Sequence, residues 1–271
     1  MTRYKTLMIG LLLAATATAA HAEAPAGYSL VWSDEFDSGT VPDPAKWSFD
    51  TQANAQKWWH DEAEYYTANR PENARIEDGY LVIEVRKEDT SAMPGTAGQL
   101  YTSARLITEG KAQWTHGFVE VRAKLPCNRG GWPAIWLLGP KWPAGGEIDI
   151  MEQLGFDSTT IYGTLHSPAS EGGGQATPSG DKTTVADACT AFHLYQTQWT
   201  ADGISILVDG QPYYHLDRPD KATAENWPFD TPESLILNVA MGGGWAGQKG
   251  IDDSALPAHM EVDYVRVYQK P

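Results

Sequence analysis

Residues 118–125 read Phe118-Val119-Glu120-Val121-Arg122-Ala123-Lys124-Leu125, and their alternation decides the fold class. Val119, Val121, Ala123 and Leu125 fall on one face, and Glu120, Arg122 and Lys124 on the other. A period of two is that of a strand with one face in a core and one in water. Leu81, Ile83 and Val85 alternate in the same way. Ile204 to Val208 and Gln211 to Leu216 flank Asp209-Gly210, a pair suited to the left-handed turn of a two-residue hairpin. Ser234 to Ala240 and Val262 to Tyr268 supply further strands. No long apolar pattern of period 3.6 interrupts them. Many short strands separated by Gly, Pro, Asp and Asn indicate an all-β chain, an antiparallel sandwich or barrel.

The 271 residues are enough for a sizeable core. Lys and Arg number 20 against 35 Asp and Glu, a net charge of -15. That balance argues against nucleic acid, whose affinity comes from neutralising phosphates, and against anionic lipid. The start of the chain reads as an export signal over residues 1–22. Arg3 and Lys5 make a positive n-region, Leu7 to Ala20 is apolar or small, and Ala20-His21-Ala22 has the small-x-small form of a cleavage site. The apolar run is too short for a membrane anchor, so no membrane contact is expected after cleavage, and a secreted or periplasmic protein is. No linker or internal repeat divides residues 23–271, which read as one domain and as a monomer. Cys127 and Cys189 are the only cysteines; export permits a bridge between them, and two buried thiols fit the sequence equally well.

Several motifs lead nowhere. Gly242-Gly243-Gly244-Trp245-Ala246-Gly247 matches the dinucleotide fingerprint formally, but no helix or βαβ unit surrounds it. There is no Walker motif, H-E-x-x-H, Cys-x-x-Cys or G-x-S-x-G, and the seven His lack metal-ligand spacing. Asp89 to Gly98 and Ser167 to Thr184 read as two long loops rich in small residues, either framing a site or disordered.

The chemistry points to Gly145-Gly146-Glu147-Ile148-Asp149-Ile150-Met151-Glu152. As a strand, Ile148 and Ile150 fix the inward face, so Glu147 and Asp149 project outward and Glu152 falls on the wrong side by one residue. A β-bulge at Ile150-Met151 would return Glu152 to the face of the other two acids. Three crowded acids cannot all ionise at their ordinary pH, and such a split in protonation suits glycoside hydrolysis. Two Glu side chains leaning together would reach about 5–5.5 Å, the separation of a retaining enzyme. An exposed acidic strand is the ordinary alternative. Against it stand Gly145-Gly146, which would let a substrate approach closely, and Trp132, Trp136 and Trp142 nearby, since Trp faces suit sugar rings.

The stretch Trp142 to Glu152 resembles the signature of glycoside hydrolase family 16, in its bulged Glu-x-Asp-x-x-Glu form, which holds laminarinases (endo-β-1,3-glucanases) and galactan hydrolases. Glu62 to Thr67, Arg70 to Arg75, Tyr101 to Leu106, Gly131 to Trp136, Tyr162 to His166, Leu237 to Trp245 and Val262 to Tyr268 resemble laminarinases as well. The resemblance implies a β-jelly-roll with a substrate cleft across its concave sheet and retaining hydrolysis of β-1,3-glucan. It makes Glu147 the nucleophile, Asp149 its assistant and Glu152 the general acid/base. It places Trp132, Trp136, Trp142, His166, Trp245, Glu62 and Arg105 at the substrate. It implies no catalytic cofactor, and a structural Ca²⁺ on the convex side at Glu35, the Gly79 carbonyl and Asp263. Two positions depart from the pattern: Asp61 stands where laminarinases usually show Asn, and Gly244 where many have Asn beside the Trp. Mixed-linkage glucan or a galactan such as agarose, a glucan-binding module without activity, and a cell-wall transglycosylase are the competing readings.

Overall fold

The computed structural model describes residues 24–171 and 179–271. The export segment expected over residues 1–22 lies outside them. In chain order the strands are β1 (Ser29–Asp34), β2 (Ser48–Phe49), β3 (Glu64–Tyr66), β4 (Ala74–Glu77), β5 (Tyr80–Lys87) and β6 (Tyr101–Ser103). There follow β7 (Arg105–Ile107), β8 (Gly117–Lys124), β9 (Gly131–Leu138), β10 (Glu147–Gln153), β11 (Thr160–His166) and β12 (Ser179–Thr184). The last are β13 (His193–Trp199), β14 (Gly203–Val208), β15 (Gln211–Asp217), β16 (Ser234–Met241) and β17 (Ala258–Gln269). Two single-turn helices, α1 (Pro168–Glu171) and α2 (Gly243–Ala246), lie in connections.

One sheet runs β15-β14-β13-β8-β17-β5-β6-β3, with β1 on β17 and β4 on β5; the other runs β12-β11-β10-β9-β16-β7-β2. Neighbours are antiparallel apart from β3 and β6. The result is a jelly-roll β-sandwich. Its core lies between the sheets, where Val119, Val121 and Ala123 of β8 share one apolar cluster with Ile148, Ile150 and Met151 of β10 and Leu235, Leu237 and Val239 of β16. Alternation explains this placement: each strand sends every second side chain inward. The hairpin turns at Asp209-Gly210, with φ of 50° and 75°, the left-handed values a two-residue hairpin needs.

Three expectations are corrected. The polar face of residues 118–125 is not simply solvated: Glu120 is buried and accepts from Gln196 Nε2 at 2.7 Å and Tyr264 Oη at 3.0 Å. β8 is a central strand, so β13 and β17 cover it from both sides. Residues 167–184 are not one loop, because α1 and β12 occupy both ends. Gly243–Ala246 closes a single helical turn where the sequence showed no helix. Cys127 and Cys189 are joined by a disulfide, tying the end of β8 to the segment after β12. Among the described residues no helix is long and apolar enough to cross a membrane.

Candidate active site

The register of β10 explains how three acids share a face. Against β9, Asp149 pairs with Trp136 and Met151 with Ile135, leaving Ile150 as an extra residue. Against β11, Asp149 pairs with Thr164 and Glu152 with Tyr162, so Ile150 and Met151 together oppose Gly163. This is the bulge the parity of the sequence calls for. Ile148, Ile150 and Met151 are all fully buried, while Glu147, Asp149 and Glu152 all line a cleft of about 890 Å³. The core is full behind the bulge. A Cβ on Gly163 would meet Tyr213 Oη at 2.5 Å and Ile206 Cδ1 at 2.9 Å, which is why the bulge's partner carries no side chain.

The cleft also receives every residue that the sequence placed at the substrate. Trp132 and Trp136 of β9 share its floor, Trp142 enters from the β9–β10 connection, His166 ends β11, and Trp245 sits on α2. Glu62 and Arg105 complete the set. Trp132 Nε1 donates to Glu152 Oε1 at 2.9 Å and Trp136 Nε1 to Asn238 Oδ1 at 2.8 Å. Trp245 stands edge-on to Trp132 and Tyr162, with ring centroids 5.2 Å apart in each pair. Arg105 is pinned: its Nε donates to Asp50 at 3.1 Å, and its guanidinium lies between the rings of Trp58 and Trp136 at 4.7 and 4.6 Å. It therefore braces two aromatic walls of the cleft. Gly145 and Gly146 do a different job from the one expected. Both are buried; a Cβ would meet Pro140 O at 2.4 Å on the first and Phe229 Cδ1 at 2.9 Å on the second. They let the connection pack on itself and on Phe229.

Sequence reasoning missed Trp58, Trp59, Asn238 and Glu171, which line the same cleft. The Trp58-Trp59 doublet three residues before Glu62 was the available signal. Trp59 meets Trp142 edge-to-face at 4.7 Å, a contact between two loops that no local pattern encodes.

Burial dominates the electrostatics. It pushes Glu152 up to about 8; Asp149 adds to this, and the Trp132 hydrogen bond and His166 oppose it. Glu147 is also raised by burial and by Asp149, with His166 pulling it back. For His166, burial opposes the charged form, but Asp149, Glu147 and Glu171 outweigh it and push the imidazole up to about 10. Nε2 lies 3.0 Å from Asp149 Oδ2 as an ion pair. Deeper in the wall Glu62 is raised by burial and by Glu64, and Glu64 accepts from the Met241 N–H at 2.7 Å. The arrangement thus holds two glutamates raised by burial, an aspartate beside them and an imidazole held as a cation in an aromatic cleft.

Among the described residues, Glu147, Asp149 and His166 are the one trio of such side chains with donor atoms within 4.8 Å of one another. Those atoms are engaged with each other and with Glu171, so the trio is an acid–imidazole chain and not an ion site. The calcium positions lie on the other sheet. The Glu35 carboxylate takes two hydrogen bonds from Arg266, at 3.0 and 2.7 Å, and Asp263 takes one from Arg122 at 2.5 Å. Gly79 sits in the turn between β4 and β5. Guanidinium groups already neutralise both carboxylates, so these side chains do not fit Ca²⁺ without giving up an ion pair.

Comparison with known proteins gives a consistent picture. The model of the glycosyl hydrolases family 16 matches residues 61–266. The beta-glucanase of Rhodothermus marinus is 45% identical over 253 residues, covering 89% of this chain and 85% of that protein. The structure of SCLam, a non-specific endo-β-1,3(4)-glucanase, superposes with a TM-score of 0.88 at 50% identity, covering 92% of this chain and 94% of that one. The laminarinase from Rhodothermus marinus superposes with a TM-score of 0.82 at 45% identity, covering 89% and 97%.

Proposed function

This chain belongs to the glycosyl hydrolases family 16, and on that premise we propose that it is a retaining endo-glycosidase that cleaves β-1,3-glucan through a glycosyl-enzyme intermediate. The observation that carries the reading is the β10 bulge, which brings Glu147 and Glu152 to one cleft face with Glu152 kept protonated at neutral pH. Glu152 gives its proton to the glycosidic oxygen as the bond to C1 breaks. Glu147 forms the bond to C1 from the other side, and the leaving chain departs with Glu152's proton. Glu152, now ionised, takes a proton from water; that water attacks C1 and frees Glu147. The Trp132 indole N–H holds Glu152 Oε1 and so orients the carboxyl. The His166 imidazolium beside Glu147 favours its charged form, against burial and Asp149. The Trp floor suits the C–H faces of glucosyl rings.

The names of the relatives support β-1,3-glucan as substrate: laminarinase in one case, endo-β-1,3(4)-glucanase in another. The second name also supports mixed-linkage glucan as a further substrate. The disulfide and the n-region of the N-terminal segment support action outside the cytoplasm. Reducing-sugar release from linear β-1,3-glucan, mixed-linkage glucan and agarose tests the assignment, with Glu147→Gln in parallel. Release from the glucans that falls by at least about 10³-fold in the variant supports it. Release from agarose alone moves the substrate to galactan. Release from none contradicts hydrolysis.

A further inference from the structure

His166 is gripped by acid at both ring nitrogens. Nε2 lies 3.0 Å from Asp149 Oδ2 and 3.9 Å from Glu147 Oε1, and Nδ1 lies 2.7 Å from Glu171 Oε1. Glu171 comes from α1, a different element from the catalytic strand, and is itself held: Ser170 Oγ donates to the same Oε1 at 3.3 Å, and the Ala169 N–H bonds the Glu225 carbonyl at 2.8 Å. A neutral imidazole has one N–H and one lone pair. With an acid at each nitrogen, the neutral ring must turn its lone pair toward one of them. The imidazolium alone serves both.

Resting on the retaining-hydrolase reading, we propose that Glu171 is a positioning residue that fixes His166 as a cation at the nucleophile end of the carboxylate cluster and so decides which acid keeps the proton. The cation touches Asp149 and Glu147, so negative charge gathers there. Glu152 keeps its proton through burial, against the Trp132 hydrogen bond. The titratable groups around His166 are Glu147, Asp149 and Glu152 on β10 and Glu171 on α1, with Glu233 and Tyr213 lying behind the sheet near those acids. All are acids, so removing the carboxylate of Glu171 removes a third of the direct anionic contacts that hold the imidazole's second proton.

The test pairs Glu171→Gln with Glu171→Asp. The ¹⁵N signals of the His166 ring are titrated, and kcat/KM on β-1,3-glucan is measured from pH 5 to 9. In Glu171→Gln the His166 titration is expected to fall by at least about one pH unit. The wild-type to variant activity ratio then climbs with pH, from near unity at pH 5 to at least about twofold at pH 9, where a titration moved from about 10 to about 9 leaves about half of the variant's imidazole neutral. Glu171→Asp restores both towards wild type. An unmoved His166 titration overturns the proposal, and so does an activity ratio that is flat across pH. If the wild type releases no sugar from any β-glucan, the functional reading fails, while the His166 titration still decides whether Glu171 holds the cation.

Discussion

Glu147 and Glu152 carry the same side chain, and their neighbours assign them different tasks. Glu152 Oε1 accepts from Trp132 and is raised to about 8, burial being the largest cause. Hydrolysis needs that proton, so activity is predicted to fall as pH rises through about 8. The Trp132 hydrogen bond favours the ionised form, so Trp132→Phe moves the alkaline limb of kcat upward in pH; a pH–kcat profile with an unmoved limb contradicts this. Glu152→Gln removes the proton donor and is expected to lower kcat by about 10²–10⁴-fold, less on substrates whose leaving group needs no proton. Equal losses on natural and activated substrates would deny Glu152 the acid role. At this scale the sequence was informative where chemistry is local. Trp132, Trp136 and the three acids could be read from one strand pair. Glu171 could not, because it reaches His166 through a turn with no periodic signature. The burial of Glu120 also escaped, since its partners Gln196 and Tyr264 arrive from strands far along the chain.

The bulge in β10 is the element that makes the site. Two isoleucines face the core, three acids face the cleft, and only an added residue reconciles the spacing. That was legible because parity in a strand is rigid: a one-residue slip sends every side chain to the opposite face. What the sequence did not reveal is the support. Gly163 opposes the bulge and has no room for a methyl group beside Tyr213 and Ile206. Gly163→Ala is therefore expected to destabilise by about 1–3 kcal/mol and to lower kcat more than it raises KM, as the shifted strand moves Glu152. Denaturant midpoints together with kcat and KM check this; wild-type stability in the variant would show that the strand pair has slack. Gly145 and Gly146 teach the converse. A glycine pair beside catalytic acids reads as an opening for substrate, yet here it serves loop packing.

At the scale of the whole molecule, the sandwich holds two devices outside the cleft floor. The disulfide closes a loop with its cysteines 62 residues apart; replacing both with Ala is expected to cost about 4 kcal/mol by the chain-entropy estimate. Glu233 is fully buried, neither carboxyl oxygen has a hydrogen-bond partner among the described residues, and burial raises it well above the ordinary glutamate range, helped by Glu147 and Asp149. The folded state therefore holds a proton that the unfolded chain releases near pH 4.3. Folding stability falls as pH rises above that value, by about 1.4 kcal/mol for each unit of the shift. Glu233→Gln needs no proton, so its Tm should gain on wild type more at pH 8 than at pH 5; a pH-independent difference would contradict this. The fold class was legible from alternation alone, whereas the pairing of two loops over the cleft at Trp59 and Trp142 depends on where the sandwich places its connections. The central claim is that two glutamates on one bulged strand hydrolyse glucan with net retention. Time-resolved ¹H NMR of the newly released reducing end tests it most directly: the account predicts the β-anomer first, with the α-anomer appearing only at the rate of mutarotation, and an α-anomer formed first would contradict it.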